Sequence, residues 1–266
     1  MEIPFSRWNA AIPLRRSRRR YDSTVLELDQ LDRLRTVCGE FRPFPQARAE
    51  LVTESPDRIF WGAVGRYGKI KGATALAAFI GSMDDPYVQE KVGYLGEGVI
   101  LEATAMGLAT CWVGGFFRPK VAASVVGVGK SERVLAVTPV GRAVENVTLE
   151  ERIMTGFGLN HRRKPLAEMV TGSAQSHWPQ WVKPALEAAR IAPSAINRQP
   201  WRFHVESNSI TVYVNNPGFT FGISKRLDCG IAMIHIEVAA LDAGVRGRWE
   251  FLEAPGVARF AVESSG

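Results

Sequence analysis

The sequence predicts an α+β fold made of two degenerate copies of one helix-and-strand unit, packed about a pseudo-twofold axis as the subunits of a dimer are. Three observations lead there. Helical stripes and short β-branched runs are interspersed along the chain. Gly93, Gly107 and Trp112 recur at the same spacing as Gly230, Gly244 and Trp249, so that GLATCW is answered by GVRGRW. A helix, a break and a strand then run in the same order from LDQLDRLRTVCGEF to AELVTES and from WVKPALEAARIAPS to FHVES. The chain divides into half-unit one over about 12–145, a connector over about 145–180 and half-unit two over about 181–266, joined as a single domain over 1–266.

In chain order, Leu26, Leu28, Leu31, Leu34 and Val37 form a helical stripe behind Asp22 and Ser23, and Phe41-Arg42-Pro43 stops it. A strand follows around Ala49 to Thr53. Gly72 to Ser82, GATALAAFIGS, is short, apolar and bounded by glycine, as a buried strand is. Gly93 to Gly107 places Leu95, Val99, Ala103 and Met106 at helical spacing among small residues and reads as a closely packed central helix. Thr110 to Phe117 breaks into a glycine loop, Pro119 to Val126 is a short helix, and Val134 to Val140 is a β-branched strand ended by Gly141. Glu145 to Gln180 is polar and charge-rich, a connector by composition. Val182 to Ile191 is helical, WRFHVES and SITVYV are strands, and Leu227 to Ala243 is a second Ala- and Ile-rich helix.

Composition narrows the function. With 266 residues, 46% hydrophobic and 23% charged, the chain is an ordinary globular one with enough length for a sizeable core. Thirty-three Lys and Arg against 27 Asp and Glu give +6, an excess that suits an anionic partner. Cys38, Cys111 and Cys229 have neither disulfide-framework nor zinc-site spacing, which fits a reducing, cytoplasmic setting. The first 20 residues lack an apolar stretch long enough for a signal, and no apolar run is long enough to span a membrane.

Five of the six residues Arg15 to Arg20 are arginines, with Ser17 among them. Such a cluster is either a solvated basic tail, able to attract nucleic acid, or a phosphate site in which guanidinium forks and a hydroxyl meet phosphate oxygens. No other basic cluster is interleaved with aromatics as a nucleic-acid groove would be. A second group, His161-Arg162-Arg163-Lys164, matters only if it meets the first in space. Ala192-Pro193-Ser194-Ala195-Ile196-Asn197-Arg198-Gln199-Pro200-Trp201 displays hydroxyl and amide groups on a turn fixed by two prolines. Those groups either read the polar edge of a flat heterocycle or satisfy the turn's own backbone. Val113-Gly114-Gly115 lets backbone approach a ligand closely. The four histidines show no metal-ligand spacing, and neither a nucleophile elbow nor paired catalytic carboxylates are discernible.

Four stretches together resemble the nitroreductase family of flavin mononucleotide (FMN) enzymes: RRSRRRY, APSAINRQPWRF, GLATCWVGGF and HRRKPLAEMV. Their order departs from the family, in which the turn like APSAINRQPW comes soon after the RRS start; that position here holds VCGEFRPFP. The resemblance implies a nitroreductase-like fold in which one chain mimics the family homodimer, a fused pseudo-dimer able to act as a monomer. By the same resemblance Arg15, Arg16, Ser17 and Arg19 hold the phosphate and ribityl chain of FMN, joined by Arg163 and His161. Pro193, Ser194, Ala195 and Asn197 line the ring from the second half, Val113, Gly114 and Gly115 lie against its other side, and Arg66 and Lys69 reach the pyrimidine edge. Lys69 would stabilise the anion of reduced flavin. The implied activity is NADH- or NADPH-dependent reduction of a small-molecule acceptor such as a nitroaromatic or quinone, in ping-pong fashion, with one FMN per chain and with neither nucleic acid nor membrane as partner. The alternative is a non-redox flavin-binding or degenerate scaffold protein.

Overall fold

In the computed structural model the described residues are 1–54, 56–60, 70–144, 162–217, 219–220 and 222–263. The elements in chain order are α1 (Phe5–Ala11), α2 (Leu28–Glu40), β1 (Ala47–Val52), β2 (Ala75–Ser82), α3 (Val88–Ala105), β3 (Ala109–Thr110), α4 (Pro119–Val126), β4 (Glu132–Gly141), β5 (Val170–Gly172), α5 (Val182–Arg190), β6 (Trp201–Glu206), β7 (Ser209–Val214), β8 (Phe219–Thr220), β9 (Ile223–Ser224), α6 (Lys225–Asp242), β10 (Gly247–Phe251) and β11 (Gly256–Val262).

Two sheets flank a central pair of helices. One has the order β1-β2-β4-β3 and the other β10-β11-β7-β6-β5; β8 and β9 form a separate ribbon. Read from the opposite edge, the second sheet runs β6-β7-β11-β10, the chain order of the first, with β5 added parallel to β6. β2, ALAAFIGS, is buried at all but its last residue, because α3 covers one face and a cluster containing Tyr21, Ile59, Phe60, Val113 and Phe117 covers the other. The sequence expectation of a buried strand there is met. Its register with β4 shifts at Phe79/Ile80, a bulge that bends the strand.

The central helices correspond residue for residue. Both are 18 residues long, with Val88 matching Lys225 and Ala105 matching Asp242, an interval of 137. Each ends on a left-handed glycine, Gly107 (φ 75°) and Gly244 (φ 77°). The following N–H, of Leu108 or Val245, donates 2.9 Å back to Ala103 O or Ala240 O, the Schellman pattern that satisfies the last carbonyls. Where the helices cross, glycine is obligatory. A Cβ on Gly93 would fall 2.0 Å from the Leu227 carbonyl oxygen, and one on Gly230 would fall 2.0 Å from that of Glu90. The two backbones therefore touch at reciprocal positions, again 137 apart.

The remaining helices pack around this pair. α1 lies across α3 and α6, α2 against β1 and α3, and α5 against α6. α2 opens with a capping box between Glu27 and Gln30, and α4 opens on Pro119, a residue preorganised for the first helical turn. Part of the expected connector is ordered structure: Met169 is fully buried, and the adjacent β5 extends the second sheet. Met169 in the core and Val170 packed against it carry this segment into the sheet despite its polar composition.

Candidate functional site at the seam between the halves

The arginine segment is neither a tail nor exposed throughout. After α1 it runs as an extended strand, Ser17 pairing with Thr110 of β3 and Arg20 with Lys71. Arg18 N–H donates to Thr110 O at 2.9 Å, and the Arg19 carbonyl accepts from Lys71 N–H at 3.1 Å. This pairing turns the Arg15 side chain inward until only 8% of it is exposed. There its Nη1 lies 3.4 Å from Ser17 Oγ and its Nε 3.9 Å from Glu97 Oε1 of α3. Burial lowers the Arg15 pKa, the carboxylate of Glu97 opposes that, and Arg16 adds to it. Arg16 itself is exposed and donates to the carbonyls of Pro13 and Arg15, both at 2.8 Å.

The second basic group reaches the first. Burial drives the Arg163 pKa down to about 10, and the like charges of Arg15, Arg190 and Arg16 push in the same direction. Arg163 donates through Nη1 to Asn197 Oδ1 and through Nη2 to Ile191 O at 3.0 Å. Arg15, Arg16 and Arg190 thus lie within electrostatic reach of Arg163, with Arg15 buried and Arg163 half-buried. A cluster of like charges in a poorly solvated place is unfavourable unless an anion neutralises it.

The turn of the second half carries three non-glycine residues in the left-handed region: Ile196 (φ 50°), Asn197 (φ 55°) and Gln199 (φ 46°). For a β-branched residue this is a genuine outlier, and Ile196 is nevertheless 46% exposed, so packing of its side chain does not impose it. The turn is held from several sides. Ser194 Oγ accepts from Gln199 N–H at 3.0 Å, Asn197 Nδ2 and Gln199 Nε2 both donate to Arg162 O, and Gln199 Oε1 accepts from Lys164 N–H. From α6, Asp228 accepts the Ala195 N–H at 3.1 Å and Arg198 Nε at 2.6 Å. Burial raises the Asp228 pKa to about 6 against the opposing pull of Arg198 and the Ala195 N–H. The amide side chains therefore clamp the turn to residues 162–164 and leave Ile196 as its exposed residue.

The glycine loop meets the same place through β9. Both backbone polar groups of Val113 bond to Val137 at 2.9 Å, fixing the loop's entry, while a Cβ on Gly114 would press to 3.3 Å from Ile223. The Ile223 carbonyl in turn accepts from Arg198 at 3.3 Å. Gly115 is exposed and Pro193 is buried beneath the turn.

Of the residues singled out from sequence, Arg15, Ser17, Arg163 and Asn197 are brought together by these contacts, with Arg16 at their edge and Ser194 and Ala195 in the turn Asn197 belongs to. Gly114 joins them through Ile223, and Arg19 lies two residues beyond Ser17 in the same strand. Arg66, Lys69 and His161 lie outside the described residues. Sequence reasoning missed Arg190, Glu97, Trp112, His235 and Asp228. The available signal was a set of charged residues inside helices otherwise made of small and apolar ones. Among the described residues no cluster of His, Cys, Asp or Glu could hold a metal ion, and no helix is long and apolar enough to cross a membrane. A cleft of about 380 Å³ lined by Ser23, Leu26, Leu31, Thr53, Asp57 and Thr74 contains none of the predicted residues.

Comparison with known proteins gives a family and a fold. No curated protein sequence matches the chain. A protein of Thermotoga maritima MSB8, solved as a putative nitroreductase, superposes with a TM-score of 0.64 at 17% identity, over 96% of this chain and 93% of that one. A nitroreductase with bound FMN from Bacteroides fragilis aligns at 17% identity over 53% of this chain and 91% of its own, with a TM-score of 0.42. A family model described as "Putative TM nitroreductase" matches residues 9–240. The chain accordingly belongs to this TM-type nitroreductase family and has the nitroreductase-like α+β fold.

Proposed function

We propose that the chain is an FMN-dependent oxidoreductase using NADH or NADPH to reduce a small acceptor, and that it is a fused pseudo-dimer with one FMN at the seam between its halves. The observation that carries this reading is the meeting of Arg15, Arg16, Arg163 and Arg190 beside a strained turn of the opposite half. Backbone strain of this kind persists where surrounding structure over-determines it, and it clusters at ligand sites.

The residues present fit FMN. Arg15, with Ser17 beside it, and Arg163 offer buried charge-assisted donors for a phosphate dianion, whose arrival would relieve their mutual repulsion. The turn at Ala195 to Asn197, with Gly114 near it through Ile223, would offer a surface for a flat ring. When bound, FMN supplies the hydride chemistry, taking electrons from NADH or NADPH and passing them to a nitroaromatic or quinone in a ping-pong cycle. The protein's share is to bind the phosphate, hold the turn and exclude water, and none of these tasks calls for a protein acid or base.

The second, symmetry-related place supports a single flavin. At the interval of 137, Asp228 of α6 corresponds to Lys91 of α3, and the loop after Trp112 corresponds to that after Trp249. There Lys91 bonds to Asp85 at 2.6 Å and to Gln46 at 3.1 Å and sits over the Phe44 and Phe251 rings, which meet edge to face at 5.2 Å. Aromatic rings and a paired lysine fill that space.

Absorbance and fluorescence titration of the purified protein with FMN, followed by anaerobic addition of NADH or NADPH, tests the reading. Saturable binding and bleaching of the yellow colour are expected; FMN binding without bleaching leaves the non-redox flavin-binding alternative, and no binding overturns both.

A further inference from the structure

Deep in the seam, His235 of α6 and Glu97 of α3 form a pair with no solvent exposure. The imidazole lies between two oxygens: Nδ1 is 2.8 Å from the Ala188 carbonyl and Nε2 is 3.1 Å from Glu97 Oε1. A carbonyl only accepts, so Nδ1 carries a hydrogen. The contact at Nε2 then requires a second proton, on the ring or on the carboxyl. Glu97 Oε2 takes a second partner, the indole N–H of Trp112 at 2.6 Å, and Arg15 Nε stands 3.9 Å from Oε1.

We propose that Glu97 is a positioning residue for Arg15 and that Glu97 and His235 together hold one shared proton, a net-neutral pair that leaves the Arg15 guanidinium free of a competing carboxylate charge and available to the cofactor phosphate. This inference rests on the flavin reading above. The pair ties three parts of the site together. Trp112 leads directly into Val113 to Gly115, Arg15 belongs to the phosphate end, and Ala188 sits one turn before Ile191, whose carbonyl Arg163 grips. Without the shared proton the carboxylate would be an uncompensated charge against Arg15 and would compete with phosphate for the guanidinium. Among the described residues, Arg15 and Cys111 from the first half and Arg163 from the connector are the other charged or titratable groups facing this cluster.

The test is FMN affinity, read by quenching of flavin fluorescence. Glu97→Ala removes the partner of Trp112, His235 and Arg15, and should weaken binding about tenfold or more, whereas Glu97→Gln can accept from Trp112 and donate to a neutral imidazole, and should recover most of that loss. His235→Asn keeps a donor for Ala188 but cannot share a proton with Glu97, and should also weaken binding about tenfold. Combining it with Glu97→Gln removes the stranded charge, so E97Q/H235N should bind more tightly than H235N. A double variant no tighter than H235N, or E97A no weaker than wild type, overturns the proposal. Should H235N or E97A fail to fold, E97Q and Arg15→Ala decide: E97Q should bind FMN within about threefold of wild type, and a loss as large as that of Arg15→Ala overturns the proposal. Wild-type protein that binds no FMN would instead remove the flavin reading, a separate outcome visible before any variant is made.

Discussion

Ile196, Asn197 and Gln199 are the residues whose backbone the rest of the second half holds in place, and Asp228 is the main anchor. Its folded pKa of about 6 is raised above the ordinary carboxylate value, so its titration contributes stability that is full below about pH 4 and is lost as pH rises through 6. Urea unfolding of wild type should therefore show a component on the order of 2–3 kcal/mol that fades between those limits. Asp228→Asn should lack that component and should also loosen the turn, weakening FMN. Arg15 makes the complementary prediction: Arg15→Ala should weaken FMN by roughly ten- to a hundredfold, the range for a charge-assisted contact, and more than Arg16→Ala does, because Arg15 is buried and Arg16 exposed. Fluorescence titration of the two variants, with circular dichroism to establish folding, measures the difference. The arginines and the turn were legible in the sequence because each is a run of consecutive residues of restricted type. Glu97 and His235 were not, since their meaning comes only from a contact between positions far apart in the chain.

At the scale of the element, the crossing of α3 and α6 organises everything else. Gly93→Ala and Gly230→Ala each push a Cβ into a backbone carbonyl that cannot rotate away, and should destabilise by about 3 kcal/mol or more. Gly39→Ala in α2 meets nothing within 4 Å and should stabilise by about 0.5–1 kcal/mol. Urea midpoints of the three variants separate close packing from simple helix propensity. Both central helices were readable from their small residues at helical spacing, and the buried β2 from its short apolar run. α1, β5, β10 and β11 were not. α1 is only seven residues with two of them buried, and β5 is three residues whose place is set by pairing to β6. β10 and β11 alternate imperfectly, because Trp249 bonds to Glu237 and a bulge interrupts the pairing of β11 with β7.

The whole molecule places equal strand orders on either side of one helix crossing and then treats the two related sites differently. One gathers guanidinium groups and a strained turn, and the other is filled by Phe44, Phe251 and Lys91. The repeated glycine and tryptophan spacing made the halves visible in the sequence, and the order of the motifs pointed to the place where the guanidinium groups and the strained turn lie. What fills the other site was hidden, because VCGEFRPFP shows its role only once Phe44 is seen against Phe251. The proposed fused pseudo-dimer with one flavin requires a single number. Anaerobic titration of FMN-loaded protein with NADH or NADPH, normalised to chain concentration, should bleach about one flavin per chain. Two flavins per chain, or a bound flavin that neither nucleotide bleaches, would contradict the account.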